Sequence, residues 1–243
     1  MNRKEIGFEF EIGSPWGMKS TCDRMRRDLG ITGLKPQVDV TVETPHKYNG
    51  EISTPVWSFR QGVVNLKRIF KWFEKNGIVT DKSCGFHVNM SYKVKELNWM
   101  LDLSRLVLCF NEEKWLKLCS RTDNEYAECH IDRLILDRGK RKFANENKAF
   151  KWVGDTIEEN MDEKFRSINL EHLEYNKPYV EYRCLGGNGY HLRNTVMMNA
   201  IVDMSKNMDR ALPEGKGTGF MTTKVRECFL PRNKTPMIPH QIG

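Results

Sequence analysis

Two acidic residues alternate with apolar residues close to the N-terminus. In GFEFEI, residues 7–12, Glu9 and Glu11 are each flanked by Phe or Ile. Residues two apart in a β-strand lie on the same face, with a rise of roughly 6.6 Å between them. The pattern therefore predicts a strand with one apolar and one acidic face. Two such carboxylates can bind the same metal ion. They are also ordinary on the solvent-exposed face of an edge strand.

Other predicted strands carry further residues that could bind metal or phosphate. They are Asp39, Glu43, Glu51, His87, Asn89, Arg166, Glu181 and Arg183. Carboxylates together with one imidazole suit Mg²⁺ or Mn²⁺, and the guanidinium group of arginine matches two phosphate oxygens. The set therefore indicates a nucleotide phosphate bound to a metal ion. Taken singly, His87, Asn89 and Arg183 also have purely structural interpretations.

Six segments are predicted to be the strands that position these residues. They are 7–12, 36–44, 51–57, 84–92, 164–172 and 178–186. In 36–44, three valines alternate with polar residues, so the valines are expected on one face and Asp39 and Glu43 on the other. The turn-forming residues PHKYNG come next, so this strand and 51–57 are expected to form a hairpin.

Helices are predicted between and after these strands. Residues 14–30 read as a short basic helix, and Ser58 is expected to cap a helix that Gly77 ends. A long helix is predicted over 94–120, helices with loops over 125–160, and a last helix over about 191–212.

These elements fit one domain with a C-terminal extension. The domain is expected to cover 1–212, with a helical insertion at about 94–160. Residues 213–243 are expected to form a basic, Gly- and Pro-rich tail that packs loosely.

The composition is that of a globular domain that could bind an anion. The 243 residues carry a net charge of +7 and are 39% hydrophobic, with no apolar run of the ~18 residues that a membrane span needs. No secretory signal is visible, and seven cysteines without a CxxC motif favour reduced thiols, so a cytoplasmic location is expected. The chain also lacks the P-loop, the GxGxxG fingerprint and the GxSxG motif, which leaves the common nucleotide-binding and hydrolase folds without support.

Six motifs, in this order, resemble those of the putative amidoligase family. They are GFEFEIG, DVTVE, GEISTP, CGFHVNMS, RSINLEH and VEYRCLGG, and their order and approximate spacing agree with the family across residues 4 to 190. The family belongs to the carboxylate–amine ligase superfamily, with glutamine synthetase and glutamate–cysteine ligase. The resemblance implies an α+β fold with a curved antiparallel sheet of about six strands. Helices would lie on its convex face and ATP on its concave face.

The resemblance also assigns roles to residues of this chain. The metal ligands would be Glu9, Glu11, Glu51, His87 and Glu181. Contacts to ATP would come from Arg183, Arg166, Asn169 and Asn89, and the catalytic residues would be Arg183, Arg166 and His87. The chain departs from the family at two positions. Asn89 replaces a second histidine that many members have, and Gly187 and Asn188 follow Gly186 where many have Gly and then Ser or Thr.

The resemblance implies an ATP-dependent ligase that uses Mg²⁺, or Mn²⁺, and forms an amide or isopeptide bond through an acyl phosphate. Its substrates would be a carboxylate and an amine on an amino acid, a peptide or a protein, in the cytoplasm of a bacterium or a phage-infected host cell. A guanidino-kinase-like phosphotransferase is one alternative. A basic nucleic-acid-binding protein or metal-dependent nuclease is another, although nucleic acid is not the favoured partner.

Overall fold

The fold is an antiparallel sheet with helices packed against one of its faces. The structure, a computed structural model, describes residues 4–94, 97–160, 166–213 and 223–230. Its strands are β1 (Lys4–Ser14), β2 (Lys35–Gln37), β3 (Tyr48–Ser53), β4 (Trp57–Ser58), β5 (Gly85–Tyr92), β6 (Ile168–Asn169) and β7 (Val180–Gly186). They are ordered β2-β3-β1-β5-β7-β6, and β4 pairs with β1. The predicted α+β class and antiparallel sheet are confirmed, and the likeness to the glutamine synthetase fold stays a prediction.

The helices come mainly from the segments predicted to be helical. They are α1 (Met18–Leu29), α2 (Phe59–Lys75), α3 (Leu97–Met100), α4 (Leu103–Leu108), α5 (Glu112–Leu118), α6 (His130–Arg138), α7 (Glu146–Glu158), α8 (Asn194–Ala211) and α9 (Thr223–Phe229). Among the described residues, no helix has both the length and the apolar composition that crossing a membrane requires. The seven cysteines are free thiols, as the sequence predicts.

The alternation in β1 separates the core from the polar face of the sheet. Phe8 and Phe10 are buried on the apolar face, where the Phe10 ring stacks on Phe86 of β5 with centroids 5.4 Å apart. Phe70 and Phe73 of α2 pack edge-on against Phe10. This aromatic cluster fixes the orientation of β1 and β5. The acidic residues of β1 are thereby directed to the opposite face.

The prediction of a strand over 36–44 is wrong beyond residue 37. The Asp39 carboxylate accepts hydrogen bonds from the Thr41 backbone N–H, at 2.8 Å, and from the Thr41 hydroxyl, at 2.6 Å. Such a local turn competes with extended structure. Val38 and Val40 are consequently exposed, whereas Val42 is buried. The predicted hairpin is present in shortened form, because β2 and β3 pair in antiparallel fashion and 38–47 connects them.

The prediction of one long helix over 94–120 is also wrong, because the described part of this segment forms three short helices. Asp102 and Asn111 each accept a hydrogen bond from the backbone N–H three residues later, and so begin α4 and α5. Side chains of this kind favour helix starts over helix interiors. The helical insertion between β5 and β6 therefore contains α3 to α7.

Two further expectations need adjustment. Within 166–172, the described part of the strand predicted over 164–172, the strand is reduced to Ile168–Asn169, because Asn169 Oδ1 accepts a hydrogen bond from the Glu171 N–H and a short 3₁₀ helix comes next. Residues 164 and 165 lie outside the described residues. In the predicted tail, Phe229 of α9 is fully buried and its ring stacks on Phe143. Part of the tail thus packs against the helical layer. The rest of it, 214–222 and 231–243, lies outside the described residues.

Candidate active site

Strand register brings most of the predicted site residues together on the polar face. Glu9 of β1 lies opposite His87 of β5, and Glu11 lies opposite Glu51 of β3. Glu181 of β7 lies opposite Asn89 on one side and, through the β6–β7 pair, opposite Asn169 on the other. Residues directly opposite each other have Cβ atoms roughly 5 Å apart, close enough for their side chains to meet.

His87 lies at the centre of the acidic residues. Its Nδ1 is 3.1 Å from Glu181 Oε1 and 3.4 Å from Glu9 Oε2, and its Nε2 is 3.4 Å from Glu11 Oε1. Burial and the Arg183 charge act to lower the pKa of His87, but hydrogen bonds to Glu181 and Glu9 and the charge of Glu11 raise it to about 10. Without a metal ion, the ring therefore carries a positive charge at neutral pH.

Glu181 is the most extensively bonded acid of the site. Its Oε2 accepts a hydrogen bond from Asn169 Nδ2 at 2.7 Å, and its Oε1 accepts one from Arg183 Nη1 at 2.9 Å. Burial acts to raise the pKa of Glu181, but hydrogen bonds from His172 and His87, and the charges of His87 and Arg183, hold it well below the usual value. Glu181 therefore stays ionised and orients its neighbours.

The acids form two groups that could each hold a metal ion. Ligand atoms of Glu9, Glu51 and His87 lie within 4.8 Å of one another, and so do those of Glu11, Asp39 and Glu51. Glu51 belongs to both groups. Burial and the nearby charge of Glu9 raise the pKa of Glu51 to about 7. A carboxylate whose ionisation is this unfavourable gains stability when a cation approaches.

The buried polar atoms at the centre also fit a metal ion. His87 Nε2 is buried and has no hydrogen-bond partner among the described residues. Gly85 leaves space around this atom, because a Cβ at that position would lie 2.5 Å from His87 Nε2 and 2.9 Å from Glu11 Oε2. An imidazole nitrogen among carboxylate oxygens is a donor set that Mg²⁺ or Mn²⁺ accepts. The residues present therefore fit such an ion.

Asn89 lies beside the first of these groups. Its Nδ2 donates to Glu9 Oε1 at 2.7 Å, and its Oδ1 is buried without a hydrogen-bond partner among the described residues. In this orientation the amide fixes Glu9 and leaves one oxygen acceptor. Asn89 can thus orient Glu9, which is predicted to bind metal.

A β-bulge directs Arg183 towards the site. Between the pairs Phe86–Leu185 and Val88–Tyr182, β5 contributes one residue, His87, and β7 contributes two. An extra residue of this kind bends the strand and changes the direction in which the neighbouring side chains point. Arg183 donates through Nε to Tyr126 O at 3.0 Å and through Nη1 to Glu181. These two contacts leave Nη2 as its remaining donor group among the described residues.

The structure places Arg166 in different surroundings. It is buried, forms an ion pair with Glu128, and lines a small cavity together with residues of α6 and α7 such as His130 and Thr156. Burial lowers the pKa of Arg166, and the charge of Glu112 opposes this effect. Its neighbours are thus those of the helical layer. Its predicted phosphate-binding and catalytic roles stay predictions.

Two residues reach the site in ways that the sequence did not predict. Asp39 was grouped with the acids only as part of a strand, and it reaches Glu11 and Glu51 from a loop. Arg121 follows α5 and is buried. The charge of Glu11 raises the pKa of Arg121, and the charge of Arg183 lowers it. The motif DVTVE includes Asp39 but predicts a strand there, and no local motif marks Arg121, because both residues are placed by loop conformations.

Comparison with known protein families identifies the family of this chain. The family model described as putative amidoligase enzyme matches residues 24–197, which is most of the chain. The chain belongs to this amidoligase family. The match includes Glu51, His87 and Glu181, whereas Glu9 and Glu11 precede it and join the site through the pairing of β1 with β3 and β5. A comparison with curated protein sequences gave no match.

Proposed function

We propose that this amidoligase is an ATP-dependent ligase that joins a carboxylate to an amine through an acyl phosphate. The observation that supports this most directly is the pair of ligand groups that share Glu51, with Arg183 beside them. Two divalent ions that share one carboxylate ligand are suited to binding a triphosphate, because they neutralise the negative charge that develops during phosphoryl transfer.

The reaction would have two steps. First, an oxygen of the substrate carboxylate bonds to the γ-phosphorus of ATP while the bond to the β-phosphate oxygen breaks, which gives an acyl phosphate and ADP. Second, the amine nitrogen bonds to the acyl carbon, phosphate leaves, and the nitrogen loses a proton. Arg183 would stabilise the transferring phosphoryl group through its remaining donor, because Glu181 and Tyr126 O hold its other nitrogens.

The nearest cysteine is unsuited to act as a nucleophile. Cys84 is fully buried, and burial raises the pKa of its thiol to about 12. Its Sγ accepts a hydrogen bond from the Asp81 backbone N–H. A neutral, enclosed thiol is a weak nucleophile, which supports direct transfer of the phosphoryl group to the substrate without a covalent enzyme intermediate.

Trapping with hydroxylamine tests this proposal. The purified protein would be incubated with ATP, MgCl₂ and a panel of amino acids and peptides, and hydroxylamine should convert the acyl phosphate to a hydroxamate. ADP and phosphate should appear in amounts equal to the hydroxamate, and Glu51→Gln should form none. AMP and pyrophosphate would instead indicate adenylation, a phosphorylated guanidine would indicate a kinase, and cleavage of nucleic acid without ATP would indicate a nuclease.

A further inference from the structure

An open cavity lies at the edge of the sheet, at the point where β2 ends. Its volume is about 480 Å³, which is in the range of small-molecule sites, roughly 300–1,000 Å³. Because β2 pairs only with residues 51–53 of β3, residues 48–50 have no neighbour from β2 on that side. The cavity occupies this place and extends to the start of α1. Its walls include Met18, Lys19, Gln37, Val38, Lys47 and Tyr48.

The cavity adjoins the acidic residues of the candidate active site. Gln37, in its wall, lies directly opposite Glu51 in the β2–β3 ladder, and Glu51 lies directly opposite Glu11. Residues paired in this way have side chains on the same face, with Cβ atoms roughly 5 Å apart. Val38, also in the wall, precedes Asp39 of the second ligand group. A molecule in the cavity would therefore lie beside that group.

The charged residues in the walls are all positive. Lys19 and Lys47 are exposed, and none of the described residues that line the cavity is acidic. Lys47 Nζ lies 5.3 Å from the centroid of the Tyr48 ring, and neither lysine forms an ion pair among the described residues. The first turn of α1 contains no acidic residue that would offset this charge. The cavity therefore favours an anionic group over an ammonium group.

The walls also include apolar surface that faces water. Val38 is 77% exposed and Tyr48 is 39% exposed. Met18 and Pro36 lie in the same walls. An apolar part of a ligand would cover this surface and so remove it from water. The charge and the apolar surface together fit a molecule that carries an apolar group next to an anionic group.

We propose that this cavity holds the substrate whose carboxylate is activated, and that this substrate is an acidic, peptide-like molecule with an apolar side chain and a second carboxylate. The inference rests on the proposed function. One carboxylate would lie beside the second ligand group, where it is activated, and the other would contact Lys19 and Lys47. An amine substrate would meet two positive charges here, so it is expected to approach from another side.

Peptide binding provides the test. Titration calorimetry in MgCl₂, with and without the ATP analogue AMP-PNP, which resists hydrolysis, would use three peptides. N-acetyl-leucyl-glutamate has both features, N-acetyl-leucyl-glutamine has one carboxylate fewer, and N-acetyl-glycyl-glutamate lacks the apolar side chain. The cavity variant combines Lys19→Gln with Lys47→Gln. The control combines Lys67→Gln with Lys71→Gln, which removes the same charge from exposed positions of α2.

We expect the wild-type protein and the control to bind N-acetyl-leucyl-glutamate at least about fivefold more tightly than either other peptide. The cavity variant should lose the preference over the glutamine peptide and bind AMP-PNP as before. Equal wild-type affinities for the three peptides, or an unchanged preference in the cavity variant, would overturn the inference. Weaker binding of AMP-PNP by the cavity variant would also overturn it and assign the cavity to the nucleotide.

Failure of N-acetyl-leucyl-glutamate to bind under both conditions would overturn the inference as well. Hydroxamate formation tests the proposed function separately, because a cavity that binds no acidic peptide leaves the trapping of another carboxylate unaffected. Binding of the peptide without any hydroxamate from it or from the panel would count against the proposed function instead.

Discussion

Glu51 and Glu11 face each other as directly paired residues across the β1–β3 ladder. Like charges in this position destabilise a sheet, and burial together with Glu9 adds to the effect by raising the pKa of Glu51 to about 7. The folded protein therefore contains a carboxylate whose ionisation opposes folding. This relationship has consequences for both stability and metal binding.

Replacing Glu51 should stabilise the protein at high pH when no metal is present. The pKa of Glu51 is raised from 4.5 in the unfolded chain to about 7 in the folded protein. Folding stability is therefore lost as pH rises through this window, by about 1.4 kcal/mol for each unit between the two pKa values. Glu51→Gln cannot ionise, so its melting temperature should exceed that of the wild type at pH 8 and approach it at pH 5.

Scanning calorimetry in EDTA measures this difference. Glu158→Gln, at an exposed position of α7, is the matched control, and its melting temperature should differ from that of the wild type by the same amount at both pH values. If the difference between Glu51→Gln and the wild type were the same at both pH values, the assigned environment of Glu51 would be incorrect.

Metal binding should release protons and weaken as pH falls. His87 and Glu51, with pKa values of about 10 and about 7, must lose their protons before they can bind a cation. The apparent affinity for Mn²⁺ should therefore fall as pH falls below about 10, where His87 gains its proton, and more steeply below about 7, where Glu51 does so too. Each proton lowers the affinity by up to about tenfold per pH unit. Calorimetric titration in two buffers of different ionisation enthalpy counts the protons. Binding that releases none would show that these residues are not ligands.

A methyl group at Gly85 should disrupt the ligands without unfolding the sheet. Its Cβ would approach His87 Nε2 and Glu11 Oε2 to 2.5 and 2.9 Å, so these side chains must move. We expect Gly85→Ala to weaken Mn²⁺ binding by at least about tenfold, with the ~1–3 kcal/mol loss of stability typical of overpacking. Gly7→Ala is the control, because its nearest neighbours would be 3.9 Å from the new Cβ. Equal Mn²⁺ affinities of the two variants would contradict the proposed arrangement.

Lysine should not replace arginine at position 183. Arg183 binds Glu181 and Tyr126 O through different nitrogens, and the single ammonium group of lysine cannot maintain both contacts and also reach a phosphate. We expect Arg183→Lys to reduce kcat/KM by at least about tenfold, which is about 1.4 kcal/mol of transition-state stabilisation. Arg105→Lys, at a partly buried ion pair with Asp102 on α4, serves as the control. Wild-type kinetics in Arg183→Lys would assign Arg183 a structural role only.

The regular alternation of apolar and polar residues made part of the site predictable. In β1 and β5 the aromatic residues pack on one face, so the positions of Glu9, Glu11 and His87 follow from the two-residue period. The Ser58 cap and the apolar spacing of α2 were equally informative, because both are local signals.

The rest depended on contacts that no local pattern specifies. The valine alternation at 38–42 predicted a strand, but the hydrogen bonds from Thr41 to Asp39 formed a turn instead. The burial of Arg121 depends on the left-handed conformation of Ser120, which glycine would have signalled and serine does not. Arg166 was grouped with the phosphate-binding residues because of its position in a predicted strand, and its pairing with Glu128 is a long-range contact.

The two ligand groups differ in what supports them. Glu9, Glu51 and His87 belong to paired strands, whereas Asp39 reaches the second group from the loop that connects β2 and β3. Loops open at lower free energy than the central strands of a sheet, and amide hydrogen exchange reports this difference. If each group binds a cation, as we propose, we therefore expect the two cations to be retained unequally. The cation bound by Glu9, Glu51 and His87 would remain through successive turnovers. The cation bound with Asp39 would enter and leave with each nucleotide, because motions of residues 38–47 would open its site.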